Sequence, residues 1–124
     1  MTYLATSINE SPVISDKAGA ALADVRGRAV KFDENGKVVL AGAGEEAIGV
    51  GIMTNDVKIE IDQDVDIQIK DIGLVYAGGE IAKGAKLEVG TDGALVTAAD
   101  GIAVALALEA AATAGVYIKA IILK

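Results

Sequence analysis

The side chains in this sequence that could take part in chemistry are mainly carboxylates. Asp62, Asp64 and Asp66 occupy alternate positions, and clustered oxygens are the ligands that Ca²⁺ binds. The spacing does not fit a calcium loop, because Ile67 stands at the sixth position, where an EF-hand has Gly, and Gly73 at the twelfth, where it has Glu. We interpret the three aspartates as the solvated face of a strand, and a weak metal site built by several chains is the alternative.

A second group of acids, Glu45, Glu46 and Asp100, precedes two similar segments at matching places. Paired carboxylates can act as general acid and base, but only where burial or a neighbour separates their pKa values. Nothing in the sequence indicates such burial, and acidic residues are common in turns. We therefore predict that these acids are solvated turn residues.

The chain contains neither His nor Cys. The first absence removes the usual general base near neutral pH, and the second removes disulfides and thiolate ligands. Most hydrolase chemistry is thereby excluded, and we predict that the protein is not an enzyme and uses no metal or cofactor.

The overall charge of the chain limits its partners. The net charge is −7, so the average field would repel a phosphate backbone, and we predict no direct binding to nucleic acid. The N-terminus lacks the basic and apolar regions of a signal peptide, and no apolar stretch is long enough to cross a bilayer. We expect a soluble protein, made in the cytoplasm, that does not bind membranes.

The elements that must position these side chains are predicted to be strands. The 124 residues suit one domain, in which 15 glycines separate short apolar runs. From Val57 to Ile69 apolar residues alternate almost strictly with polar ones, which is typical of a strand with one buried face. The sequence predicts an all-β fold, either a small barrel or a sandwich.

An internal repeat divides the predicted β domain. Gly27–Gly36 aligns without gaps to Gly84–Gly93, 57 positions later (84 − 27), and each copy ends in an Asn-Gly or Asp-Gly dipeptide that favours a tight hairpin. The alignment continues in three further pairs of segments: 37–40 with 94–97, 47–52 with 101–106, and 57–61 with 116–120. We predict two related four-stranded units joined by a connector around residues 62–81.

Two predicted strands have a face of small residues, which lets another backbone approach closely. These faces suit either the core or a subunit interface, and they comprise Ala47, Gly49 and Gly51 in one unit and Ala103, Ala105 and Ala107 in the other. We predict a strand from Ile102 to Leu108, with an Ala-rich loop or helical turn after it.

Residues 1–26 lack sustained periodicity and are predicted to form an N-terminal arm, leaving residues 27–124 as a single β domain. The last strand is apolar on both faces, and only one face can meet the core. The other face carries Tyr117, Ile121 and Leu123, which we predict to lie at a subunit interface. The alternative is that the arm folds back over this face.

The stretch from Gly27 to Leu123 resembles the capsid decoration (cement) proteins of tailed phages. The resemblance rests on the strand and hairpin order together with four segments: Ala47-Ile-Gly-Val-Gly-Ile52, Ile81-Ala-Lys-Gly-Ala-Lys-Leu87, Thr91-Asp-Gly93 and Ala105-Leu-Ala-Leu-Glu-Ala-Ala-Ala112. It implies a homo-oligomer, often a trimer, that binds the major capsid protein on the outside of the virion and has no catalytic residues.

The resemblance also implies that the N-terminal arm contacts the capsid. Its apolar residues would make the contact: Tyr3, Leu4, Ile8, Val13 and Ile14. Two alternatives remain, namely the base domain of a phage head fibre and a small ligand-binding or carrier β-barrel.

Overall fold

The computed structural model describes residues 11–123, which form short strands and connecting turns. The strands are β1 (Val13–Lys17), β2 (Leu22–Ala23), β3 (Ala29–Phe32), β4 (Val38–Leu40), β5 (Gly49–Gly51), β6 (Lys58–Ile59), β7 (Asp64–Gln68), β8 (Asp71–Tyr76), β9 (Lys86–Val89), β10 (Leu95–Thr97), β11 (Ala105–Ala107) and β12 (Tyr117–Ile122). A 3₁₀ turn at Thr91–Gly93 joins β9 to β10. The prediction of an all-β fold is confirmed.

The strands form two five-stranded antiparallel sheets and one small pair. The first sheet has the order β1-β7-β5-β3-β4, and the second, starting from β8, has the order β8-β12-β11-β9-β10. Strands β2 and β6 pair separately. Each sheet is therefore built from one half of the chain, in the same relative order.

The two sheets repeat each other in register as well as in order. Three pairs of facing residues in the first sheet have counterparts at the same places in the second. Ala29–Val50 corresponds to Lys86–Leu106, Val50–Gln68 to Leu106–Ile121, and Ser15–Asp66 to Leu74–Lys119. Both predicted hairpins are present, as β3–β4 and β9–β10, with Gly36 and Gly93 at positive φ. The structure thus supports an internal duplication and gives the main sheet of each unit five strands rather than four.

The fifth strand of each sheet is β1 in the first unit and β8 in the second, and the segment Val57–Ile69 is not one strand. Asp62 adopts a φ of 67° and donates its N–H to the Ala18 carbonyl oxygen at 2.8 Å, so the chain turns there. Val57 and Ile61, which the alternation had placed in the core, are exposed. The predicted connector 62–81 contains β7 and β8, and β7 takes the place that β12 has in the second unit.

The predicted boundary between arm and β domain also differs from the structure. Val13 and Ile14 lie in β1, which pairs along its whole length with β7, and Ala18, Leu22 and Val25 are buried. Residues 13–26 are therefore part of the first unit. The backbone pairing of β1 with β7 holds this segment in place, and such pairing cannot be recognised from the local alternation of residues. Tyr3, Leu4 and Ile8 lie outside the described residues.

Each sheet curls until its two outer strands meet at one end. Gly19 N donates to the Val38 carbonyl oxygen and Gly78 N to the Leu95 carbonyl oxygen, both at 2.8 Å. The first unit encloses a core of Ala18, Leu22, Val25, Val30, Val38, Ile59, Val65 and Ile67. The second core is larger, and it also includes Ala29, Ala41 and Val50 of the first unit, which join the two units.

The small residues of β5 and β11 lie in these cores. Gly49, Gly51, Ala105 and Ala107 are buried, and a Cβ on Gly51 would lie 2.2 Å from the Val25 carbonyl oxygen. This close approach of backbone favours the core alternative over the interface alternative. Strand β11 is shorter than predicted, and Ile102 is exposed.

Candidate interaction surface

The acidic residues singled out in the sequence make separate contacts. Lys37 Nζ lies 2.6 Å from Asp62, Lys17 Nζ lies 2.9 Å from Asp64, and Asp66 accepts a hydrogen bond from the Ser15 hydroxyl. Among residues 11–123, no group of three or more acidic side chains is close enough to hold a metal ion. The arrangement agrees with a solvated strand face crossed by ion pairs.

Glu45 has a specific structural role at its turn. Its carboxylate accepts hydrogen bonds from Lys31 Nζ at 3.0 Å and from the Gly42 backbone N–H at 2.6 Å. The hydrogen bond from Lys31 is the main cause that lowers the pKa of Glu45 below its usual value. A carboxylate held in its ionised form stabilises the turn and is a poor proton donor near neutral pH.

The outer face of β8 and β12 is the main apolar surface of the second unit. Ile72 lies opposite Ile121, Leu74 opposite Lys119, and Tyr76 opposite Tyr117 across the antiparallel pair. Ile72 is 58% exposed and Leu74 is 40% exposed. The opposite face of β12 carries Ile118, Ala120 and Ile122, all buried, so the core lies on that side and Ile72 and Leu74 point away from it.

The tyrosine end of this surface is already occupied within the chain. The rings of Tyr76 and Tyr117 meet edge to face, with centroids 5.4 Å apart. Arg28 from the first unit lies over the Tyr76 ring, 4.1 Å from its centroid, and donates to the Asp92 carbonyl oxygen at 3.2 Å. Arg28 and the two tyrosines thus help to fix one unit against the other.

The three predicted interface residues do not form a single patch. Ile121 lies on the outer face beside Ile72, and Tyr117 packs on Tyr76. Leu123 lies in a shallow cleft with Ile102, and its N–H donates to the Val104 carbonyl oxygen at 2.9 Å. All three are half-buried.

Sequence reasoning missed the most exposed part of this surface. Ile72 and Leu74 had been assigned to a connector, although Ile72, Leu74 and Tyr76 alternate with smaller residues as a strand requires. Their counterparts in the first unit are Val13 and Ser15 of β1, which had been assigned to the arm.

Comparisons with known proteins point to one fold. No family model and no curated protein matches the chain. Among residues 11–123, no helix is long and apolar enough to cross a membrane. Among solved structures, the chain is similar to the N base of the head fibre gp8.5 of bacteriophage phi29, with a TM-score of 0.67 and 18% identity over 90% of this chain and 92% of that one. The chain therefore has the fold of that head-fibre base domain.

Proposed function

We propose that this chain is a structural component of a tailed-phage particle, bound to the outside of the head. The observation that carries the proposal is the similarity of nearly the whole chain to a head-fibre base domain. The sequence supports it, since the chain has no His or Cys and its acids are engaged in turns and ion pairs. We assign the protein no catalytic activity and no cofactor.

Within this role we favour a decoration protein that strengthens the capsid. An acidic body keeps the free protein soluble, and many weak contacts on a symmetric shell act together. The partner is then the major capsid protein. The residues proposed to contact it are Tyr3, Leu4, Ile8, Val13 and Ile14, the last two of which lie in β1. Nucleic acid and membranes are not partners in this proposal.

The experiment is reconstitution on shells of the major capsid protein encoded by the same genome. Purified chain is mixed with empty shells, which are sedimented, imaged by electron cryomicroscopy and melted with and without the chain. A decoration protein co-sediments, adds density outside the shell at symmetry axes, and raises the melting temperature of the shell. Failure to co-sediment with expanded shells contradicts the proposal.

A second candidate is the base of a head fibre, because the similar solved structure is such a base. This candidate also binds shells but leaves their melting temperature unchanged. Mass spectrometry of purified virions separates the two as well, since a fibre base is joined to or associated with a projecting segment.

We also propose that the protein self-associates, with three copies as the expected number, through the outer face of β8 and β12. Of the three residues predicted for the interface, Ile121 lies on that face, whereas Tyr117 packs on Tyr76 and Leu123 lies in a separate cleft with Ile102. Ile121→Asp would place a charge in the middle of the outer face of β12, next to the exposed Ile72. Val57→Asp is the matched control, because Val57 is 55% exposed in the first unit. Sedimentation should show a smaller species for Ile121→Asp alone, and a monomeric wild type at micromolar concentration would contradict the proposal.

A further inference from the structure

Three dipeptides among residues 11–123 have an Asn or Asp side chain followed directly by glycine. They are Asn35-Gly36, Asp92-Gly93 and Asp100-Gly101. In such a dipeptide the glycine nitrogen can attack the side-chain carbonyl carbon of the preceding residue, because glycine has no Cβ to hinder the approach. The sequence makes all three dipeptides candidates for this reaction, so the packing around each glycine decides which of them can react.

The turn at Asn35-Gly36 is open to solvent. Both residues are exposed, and a Cβ on Gly36 would meet no atom within 4 Å. The side-chain amide of Asn35 makes no hydrogen bond with residues 11–123, whereas its backbone N–H donates to Asp33 Oδ1 at 2.8 Å. The attacking nitrogen of Gly36 donates to the Asp33 carbonyl oxygen at 3.0 Å. Opening of that hydrogen bond frees the nitrogen, and exposed turns open at little cost in free energy.

The two Asp-Gly turns are packed between the units. At Asp92-Gly93, a Cβ on the glycine would lie 2.7 Å from the Ala29 carbonyl oxygen, and the Asp92 carbonyl oxygen accepts a hydrogen bond from Arg28 at 3.2 Å. At Asp100-Gly101, a Cβ on the glycine would lie 2.6 Å from the Gly44 Cα. Neither glycine can turn toward the aspartate side chain unless the contact between the units moves.

The other asparagine of the described chain, Asn55, is held in place. It is 9% exposed. Its side-chain nitrogen donates to the Ile52 and Asp66 carbonyl oxygens at 3.0 and 2.7 Å, and its side-chain oxygen accepts from the Asp66 N–H at 2.9 Å. The next residue is Asp56, whose side chain hinders attack by its own nitrogen. Asn55 therefore lacks both features that make Asn35 reactive.

We propose that Asn35 is a site of spontaneous deamidation in the folded protein. The Gly36 nitrogen loses its proton to solvent and forms a bond to Asn35 Cγ, while the Cγ–Nδ2 bond breaks and ammonia leaves. Water then opens the cyclic imide at either carbonyl, which gives aspartate or isoaspartate. In sum, the amide and one water become a carboxylate and ammonium, with no oxidant or reductant. The proposal does not depend on the phage role.

The reaction changes the first hairpin and leaves the second intact. Either product adds a negative charge beside Asp33 and Glu34, in a chain whose net charge is already −7. Isoaspartate also lengthens the main chain of the turn by one carbon. Asp33 then cannot keep its hydrogen bonds from both Gly36 N and Lys37 N, each now 3.0 Å long. The β3–β4 hairpin is thereby loosened.

Peptide mapping of the full chain tests the site. The folded protein is held at mildly alkaline pH, sampled over time, digested and analysed by chromatography and mass spectrometry. The peptide with Asn35 should gain the mass difference between OH and NH₂ and separate into aspartate and isoaspartate forms. Asn55 should react about 100-fold more slowly, because three hydrogen bonds must open first. An intact Asn35 after the urea-unfolded chain has fully reacted overturns the proposal, and so does equal reaction at Asn55.

The Asp-Gly turns and one variant provide the controls. Asp92 and Asp100 should form isoaspartate in urea and not in the folded protein, since packing alone protects them. Asn35→Gln keeps the amide, but its ring closure needs a larger and less favourable ring. Anion exchange should show wild type moving with time to a more acidic form that coelutes with Asn35→Asp, and Asn35→Gln should not move. Acidification of Asn35→Gln as fast as wild type overturns the proposal.

Discussion

Replacement of Gly51 by Ala should strongly destabilise the protein. Gly51 N donates to the Arg28 carbonyl oxygen at 3.0 Å, and Gly27 N donates to the Gly51 carbonyl oxygen at 2.7 Å, so β5 is held against residues 25–28. A Cβ on Gly51 would lie 2.2 Å from the Val25 carbonyl oxygen. Because this neighbour is backbone, the methyl group can fit only if one strand moves.

The cost can be worked out from these contacts. Overpacking of a buried site destabilises by about 2 kcal/mol, and weakening one of the two hydrogen bonds adds about 1 kcal/mol. Ala also restricts the unfolded chain, which offsets about 0.7 kcal/mol. The free energy of unfolding should therefore fall by about 2 kcal/mol, which lowers the melting temperature by about 8 °C for a chain of this size.

Gly79→Ala is the matched control, because nothing lies within 4 Å of its added Cβ and its φ is not positive. This variant should be as stable as wild type or slightly more stable. Urea unfolding followed by circular dichroism measures both variants. If Gly51→Ala unfolds at the same urea concentration as Gly79→Ala, the close contact between β5 and Val25 does not exist.

Three further predictions address the core, an ion pair and the absence of a metal site. Ile118→Ala should lower the free energy of unfolding by about 3 kcal/mol, since Ile118 is 3% exposed, whereas Ile121→Ala on the other face of β12 should cost less than about 1 kcal/mol; equal costs would mean that the assigned faces are wrong. The hydrogen bond from Arg26 is the main cause that lowers the pKa of Asp24, so the ionised carboxylate stabilises the fold above its unfolded pKa of about 4, and this contribution is lost as pH falls through the lower folded pKa. Wild type should thus be more stable than Asp24→Asn at pH 7, with a difference that shrinks below about pH 4, and a pH-independent difference would contradict the assignment. Protein purified without chelator should contain no stoichiometric transition metal by elemental analysis, and one equivalent of bound zinc would refute this.

Much of the fold could be predicted because the relevant signals are local. Alternating apolar residues indicated strands, and the Asn35-Gly36 and Asp92-Gly93 dipeptides located both hairpins, since only a few residues adopt positive φ readily. The gapless match between the hairpins also revealed the duplication. The prediction of where each unit begins was wrong, because β1 and β8 can be recognised only from the strands with which they pair.

The outer face of β8 and β12 was predicted only in part, because it too depends on which strands pair. The apolar outer face of β12 was visible in the sequence, and Ile121 lies there. That Tyr117 packs on Tyr76 under Arg28 could not be predicted, because the three residues are far apart in sequence and meet only when the two units pack together.

The sequence by itself determined the absence of imidazole and thiol groups, the β character of the chain and the presence of two copies of one unit, since these depend on residue types and on their short-range order. Only the tertiary structure decided which side chains are buried. The alanines of β11 face the core, whereas Ile102, which precedes this strand, is exposed, although hydrophobicity alone suggests the opposite. At β5 the physical reason is space, because a Cβ on Gly49 or Gly51 would lie within 2.2 Å of a backbone oxygen of Gln68 or Val25, and that approach is set by contacts between segments that are distant in sequence.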